Sequence, residues 1–207
     1  MNVKLTIEYE GTRYHGWQAQ AGAPTVEAAL REAIQSLTGE SPVLTAAGRT
    51  DAGVHALGQV VNFRLERAFP VEQLPGALNA RLAPDIAVRR AEAVDDRFNA
   101  RYSARARRYA YRIRQALPRG AYQRQYAWGL RDTLDVAAMQ AAGDRLAGRH
   151  DFRAFGRSPR PGGHTVRHVH EVTVSGAGDW VTIAVAADAF LYGMVRRIGR
   201  ASCRERV

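Results

Sequence analysis

Residues 48–55 read Gly-Arg-Thr-Asp-Ala-Gly-Val-His and place one carboxylate, Asp51, in a Gly-flanked turn. The apolar run Pro42-Val43-Leu44-Thr45 precedes it, and Gln59-Val60-Val61-Asn62-Phe63 follows with strand-like alternation. A carboxylate on a loop between two strands is a common way to present a reactive group at a cleft. Arg49, two residues earlier, can hold such a carboxylate ionised. The same pattern also fits a plain Asx turn, with Asp51 capping a local backbone N–H. His55 lies four residues from Asp51, but no serine has the context of a nucleophile, so a hydrolytic triad is not expected.

A second group of residues suits a different task. Of the 30 basic residues only Lys4 is a lysine, and the formal net charge is +10. Arginine donates bidentately to phosphate and stacks on bases. An Ala- and Arg-rich composition also follows from a GC-rich genome, which accounts for arginine over lysine but not for clustering. From Arg97 to Arg131 there are ten arginines and no Asp or Glu. Phe98, Tyr102, Tyr109, Tyr111, Tyr122, Tyr126 and Trp128 interleave with them. Cationic groups with interleaved aromatics make a surface that tracks a nucleic-acid backbone and stacks bases. A merely solvated face would mix both signs of charge.

Other chemistries find less support. His168 and His170 fall on one face of a strand with His164 near, but a zinc site needs a third and usually a fourth ligand of clear identity. No metal is expected. Cys203 is the only cysteine, so an internal disulfide and a Cys-based zinc site are excluded. No stretch approaches the roughly 20 apolar residues of a membrane span. The N-terminus enters a strand-like Val3-Lys4-Leu5-Thr6-Ile7-Glu8-Tyr9 directly, so no signal peptide is expected. A reducing cytoplasm is the natural location.

The elements that must position these groups follow from periodicity. At 207 residues, with 46% apolar and 24% charged residues, the chain is one domain or two small ones. A strand is expected over 3–9, then a loop over 10–24. Thr25 should cap a helix with apolar positions Val26, Ala29, Leu30, Ala33, Ile34 and Leu37, ended by Gly39. Strands near 43–47 and 59–64 bracket the Asp51 loop. A helix at about 71–82 with Pro75 early, and a strand over 86–94, complete the first half. In the second half, 107–114 alternates as a strand does, and a helix follows near 134–147. Residues 157–163, rich in Arg, Pro and Gly, read as a loop. Strands near 166–174 and 180–186 and a last helix from about Phe190 end the chain. Strand-helix-strand-strand order in both halves indicates α+β lobes, with a break at 96/97.

Four segments, in order, resemble the tRNA pseudouridine synthase A family. Gly48 to His55 resembles its catalytic motif. Glu8-Tyr9-Glu10-Gly11-Thr12-Arg13-Tyr14-His15-Gly16-Trp17-Gln18 is similar to Y-D-G-x-x-Y-x-G-W-Q. Phe98-Asn99-Ala100-Arg101-Tyr102-Ser103, running into Ala106-Arg107-Arg108-Tyr109-Ala110-Tyr111, is similar to F-x-A-R-x-S…A-R-R-Y-x-Y. Ala189-Phe190 through Met194-Val195-Arg196 is similar to A-F-x-x-x-M-V-R, although Asp188 stands where the family has Asn.

The resemblance implies a pseudouridine synthase fold, with two ferredoxin-like α/β lobes sharing one mixed or antiparallel sheet around a central basic cleft. It implies isomerisation of uridine to pseudouridine at positions 38–40 of the tRNA anticodon stem-loop, with no cofactor and as a homodimer. Asp51 matches the essential aspartate, which acts on the sugar either as nucleophile or as base. Arg49 would pair with it and contact the displaced strand. Arg196 matches an arginine that forms an ion pair with the aspartate, and Tyr109 a tyrosine that stacks on the target base. Arg105, Arg107 and Arg108 are the expected RNA contacts. Read without the resemblance, Tyr109 also fits a core tyrosine on an inward strand face, and Arg196 an ordinary surface or phosphate-binding arginine.

One carboxylate suits an isomerisation better than a hydrolysis, which usually needs two. The alternative, a protein that only binds RNA or an inactive truncated remnant using the same basic cleft, would need the arginines and aromatics but not the Asp51 loop. The resemblance ends at Ile198, and residues 199–207 lack an amphipathic period. The second lobe is therefore expected to be incomplete.

Overall fold

The computed structural model describes residues 1–115, 121, 123–158 and 162–203. Tyr122 and Arg119 of the basic-aromatic stretch, residues 159–161 of the expected loop, and the tail from residue 204 lie outside the described residues. The chain divides into two compact units, Met1–Ala104 and Arg105–Val207.

In the first unit the β1 strand Asn2–Tyr9 alternates as expected. Val3, Leu5, Ile7 and Tyr9 are buried, while Lys4, Thr6 and Glu8 are only partly so. It pairs antiparallel with β3, Ala56–Arg64, and with β4, Ile86–Val94. The β2 strand is only Thr45–Ala46 and pairs with β3, giving the order β2-β3-β1-β4. Helix α1, Val26–Thr38, starts where Thr25 accepts from the Ala28 N–H, and it stops at Gly39 in the left-handed region. It buries Val26, Leu30, Ala33 and Ile34 in one core with the inward residues of β1, β3 and β4. The segment expected as one helix over 71–82 is a 3-10 turn, Val71–Gln73, followed by α2, Leu74–Asn79, with Pro75 in its first turn. Proline is tolerated there because that N–H has no intrahelical partner anyway.

Residues 97–104, expected in the second lobe, belong to the first unit, and two buried amides explain this. Asn2 Nδ2 donates to the carbonyls of Asp95 and Phe98, at 2.9 and 3.0 Å. Asn62 accepts from the Ala100 N–H at 2.8 Å and donates to Asn2 Oδ1 at 3.0 Å. These amides hold the connecting segment onto β1 and β3.

In the second unit, β5 (Arg107–Gln115) pairs parallel with β6 (Trp128–Leu130) and antiparallel with β9 (Trp180–Ala187). The β8 strand, Val166–Ala177, joins β9 to β7, Gly148–Asp151, giving the order β6-β5-β9-β8-β7. Helix α3, Val136–Asp144, is capped by Asp135, and α4 spans Met194–Ser202. Ile113, Val172, Val181, Ile183, Val185, Met139, Met194 and Ile198 form the core. Among the described residues the strands hydrogen-bond as two sheets, one per unit, where the resemblance implies a single shared one.

The last helix also differs from expectation at both ends. It starts at Met194 rather than near Phe190, because Gly193 takes φ 77° just before it. It then continues through Ser202, across residues expected to depart from the pattern. Ile198, Gly199 and Ser202 are buried, and a Cβ on Gly199 would lie 2.5 Å from Tyr111 Cδ1. Residue 199 must be small for the helix to seat on that ring.

Candidate active site

Asp51 sits in the loop between β2 and β3, half-buried, with Arg49 exposed beside it. The Val54 N–H closes a turn on the Asp51 carbonyl at 3.2 Å. The loop is gripped by residues 9–17. The Trp17 N–H donates to the Thr50 carbonyl at 3.0 Å, and the Gly53 N–H to the Tyr14 carbonyl at 3.2 Å. Tyr9 Oη and Thr50 Oγ1 share a hydrogen bond of 2.8 Å. His55 Nδ1 accepts from the Gly11 N–H at 3.0 Å, and Gln59 Nε2 donates to the Gly48 carbonyl at 2.6 Å. The residues on either side of Asp51 are thus fixed by backbone bonds, which is how a loop acquires the precision of a strand.

Two glycines make this approach possible. A Cβ on Gly11 would lie 2.1 Å from the Val54 carbonyl oxygen. Gly16, at φ +89°, would place one 2.6 Å from the Thr50 oxygen. The gripping segment is itself anchored to the end of β4. Tyr14 Oη donates to Asp85 Oδ1 at 2.7 Å, and Arg13 Nη2 to Oδ2 at 2.5 Å. Burial, then the hydrogen bond to Asp85, pushes the Tyr14 phenol up to about 12. For Asp85, burial pushes upward, but the bonds from Tyr14 and Arg13 hold its carboxyl below the usual range.

The other expected site residues belong to the second unit. Alternation along β5 puts Arg107, Tyr109, Tyr111 and Ile113 on one face, with Arg108 and Arg112 on the other. Ile113 enters the core, Tyr111 lies under α4, and Tyr109 meets Phe190 edge to face at 4.9 Å. Arg107 Nη1 donates to the Asp188 carbonyl at 2.7 Å, tying the strand to the segment that carries Phe190. Arg105 is exposed just before the strand, and Arg196 is exposed on α4. Arg108 lies 3.5 Å from Glu171 and Arg114 3.5 Å from Asp179. The β8 strand and the turn between β8 and β9 therefore supply carboxylates that the linear stretch lacks.

Asp51 and Arg49 thus lie in one unit, and Tyr109, Arg105, Arg107, Arg108 and Arg196 in the other, with Arg108 on the opposite face of β5 from Tyr109. The contacts made by Gly11, Gly16, Trp17 and His55 do not follow from spacing or periodicity, although all four fall within the segments that carry the family resemblance. His168 and His170 have ring centroids 4.8 Å apart. Among the described residues no three His, Cys, Asp or Glu side chains are grouped to hold a metal ion. No helix among them is long and apolar enough to cross a membrane.

Comparison with known proteins bears on this arrangement. A family model described as tRNA pseudouridine synthase matches residues 5–103 and 142–204, so the match runs past Ile198. The chain is similar to a tRNA pseudouridine synthase A of Thermoanaerobacter sp. (strain X514), 44% identical over 95% of this chain and 81% of that protein. It is 45% identical to one of Moorella thermoacetica over 94% of this chain and 80% of the relative. A Myxococcus xanthus relative of the same name is 42% identical over 95% and 74%.

Proposed function

The chain belongs to the tRNA pseudouridine synthase family, and from that premise we propose which of its residues carry the reaction. It is an isomerase that converts uridine to pseudouridine in tRNA, and its α+β architecture fits the pseudouridine synthase fold.

The reaction breaks the C1′–N1 bond and forms C1′–C5. The proton that leaves C5 is balanced by one gained at N1, so no atom is added and no electron is exchanged with a cofactor. Uracil is a competent leaving group, which lets one carboxylate suffice where glycoside hydrolysis usually uses two. Asp51 is that carboxylate, acting on the sugar as nucleophile or as base. The observation that supports this role most is the double grip on its loop, by Thr50 on one side and Gly53 on the other. Positioning of this kind is worth several kcal/mol of a barrier.

Arg49 stands beside Asp51 and offers it a cation and a donor to RNA. Tyr109, steadied by Phe190, stacks on the uracil once the nucleotide is extruded from its stem. Arg196, exposed on α4, is a further substrate contact of the second unit. Arg105 and Arg107 contact phosphates; Arg108 contributes less because Glu171 partly neutralises it. Homodimeric assembly, action at positions 38–40 of the anticodon stem-loop, and a cytoplasmic location belong to the same proposal.

The test is conversion of uridine in unmodified tRNA, read position by position with a label specific for pseudouridine. New label in the anticodon stem-loop is the expected result. Tight tRNA binding without any label would favour a protein that only binds RNA.

A further inference from the structure

Tyr192 lies between two residues already given roles, Phe190 and Met194, yet it takes no part in the core. Its neighbour Leu191 fills the buried position at 3% exposure, while Tyr192 is 58% exposed. The packing at this point is done by Leu191, so the Tyr192 ring presents its face to solvent. The ring is also not loose. Residues Arg157 and Tyr192 form an isolated antiparallel bridge, with the Tyr192 N–H donating to the Arg157 carbonyl at 3.0 Å and the Arg157 N–H returning at 3.4 Å. Gly156 allows this approach, since a Cβ there would lie 2.5 Å from Leu191 Cβ and 2.9 Å from the Tyr192 oxygen. The exposed Arg157 guanidinium then lies over the Tyr192 ring, 5.6 Å from its centroid. The result is an outward aromatic-guanidinium pair fixed by backbone rather than by a flexible loop.

We propose that Tyr192 and Arg157 form a stacking site for an unpaired nucleobase of the tRNA substrate, separate from the ring of Tyr109. It rests on the reading of tRNA as substrate. Every base has a π face, so such a pair binds without demanding sequence, and the guanidinium extends the stack or turns to a phosphate as the base arrives. This gives Tyr192 a role in recognition and none in bond breaking.

The experiment measures tRNA affinity and turnover for Tyr192→Ala, Tyr192→Phe and the unsubstituted chain. Tyr192→Ala should weaken binding by roughly 5- to 100-fold, the size of one base–aromatic stack. The dependence of log K on log salt should be unchanged, because the same phosphates stay neutralised. Turnover at saturating tRNA should stay within about twofold of the unsubstituted chain, and Tyr192→Phe should bind within about twofold, the scatter expected when one stacking face replaces another. Ultraviolet cross-linking of the unsubstituted chain to tRNA gives a readout independent of any variant, and the peptide bearing Tyr192 should carry RNA. Tyr192→Ala binding like the unsubstituted chain, or Tyr192→Phe weakened as much as Tyr192→Ala, would overturn the proposal; so would cross-links confined to other peptides. If tRNA binds through Tyr192 but no pseudouridine forms, the catalytic reading fails while this site stands.

Discussion

The loop around Asp51 and the strand around Tyr109 are built on opposite principles. Around Asp51 the holding groups are mainly backbone N–H and C=O, brought within reach by glycines at 11 and 16, with the side chains of Tyr9, His55 and Gln59 added. Around Tyr109 they are side chains: a phenyl ring against the tyrosine, a guanidinium on a carbonyl, and a helix resting on the next tyrosine. Backbone bonds tolerate little movement, whereas ring contacts permit small shifts at little cost. In the proposed roles, a carboxylate that meets one sugar carbon gains from the first. In the same proposal, a surface that accepts a base swung out of a stem gains from the second.

The largest break in this comparison should come from Gly11→Ala. The added methyl would meet the Val54 carbonyl at 2.1 Å, so the loop must move. Turnover should fall at least about 100-fold, the scale that attends misplacement by an ångström, with a lower melting temperature. Near-normal turnover would show that the grip does not matter. Gly199→Ala makes a clash at Tyr111 of 2.5 Å, but against a ring that can yield. It should cost about 1–3 kcal/mol of stability, as overpacking does, and turnover should drop by less than in Gly11→Ala.

A smaller effect sharpens the second region. Replacing Arg105 and Arg107 with Ala should weaken tRNA binding and flatten the salt dependence by about one unit for each phosphate no longer neutralised. Arg108→Ala should do less, since Glu171 already opposes its charge. Equal effects from all three would mean that neighbouring carboxylates do not select among these arginines. The smallest effect concerns Tyr14, whose phenol is raised from 10.0 to about 12. A raised value means the neutral form is favoured on folding. Its stabilisation is therefore fully present below about pH 10 and lost as pH rises through about 12. Ultraviolet titration of the unsubstituted chain against Tyr14→Phe should show one tyrosine ionising late; its absence would remove Tyr14 from the anchor.

Local patterns carry much of this arrangement. Thr25 and Gly39 mark both ends of α1, and the alternation of β1 and β5 is plain, because caps and period depend on neighbouring residues alone. The β7 strand escapes a reading by period because Gly148–Asp151 is largely exposed and has no alternation. The start of α4 falls later than the pattern indicates because Gly193 turns left-handed just before it and Tyr192 is bridged to Arg157, a contact that joins distant parts of the sequence. Asp51 itself is visible from its turn. The reason it is held is not, since the contact of Gly11 with Val54 is a property of the fold and not of either segment.

The central claim is that Asp51 carries the chemistry and little of the binding. Asp51→Asn keeps the size of the side chain and removes its charge, so turnover and tRNA affinity can be measured on the same preparation. The account predicts that pseudouridine formation is abolished while affinity stays within several-fold, because one negative charge does not help to hold a polyanion. Turnover near that of the unsubstituted chain would contradict it.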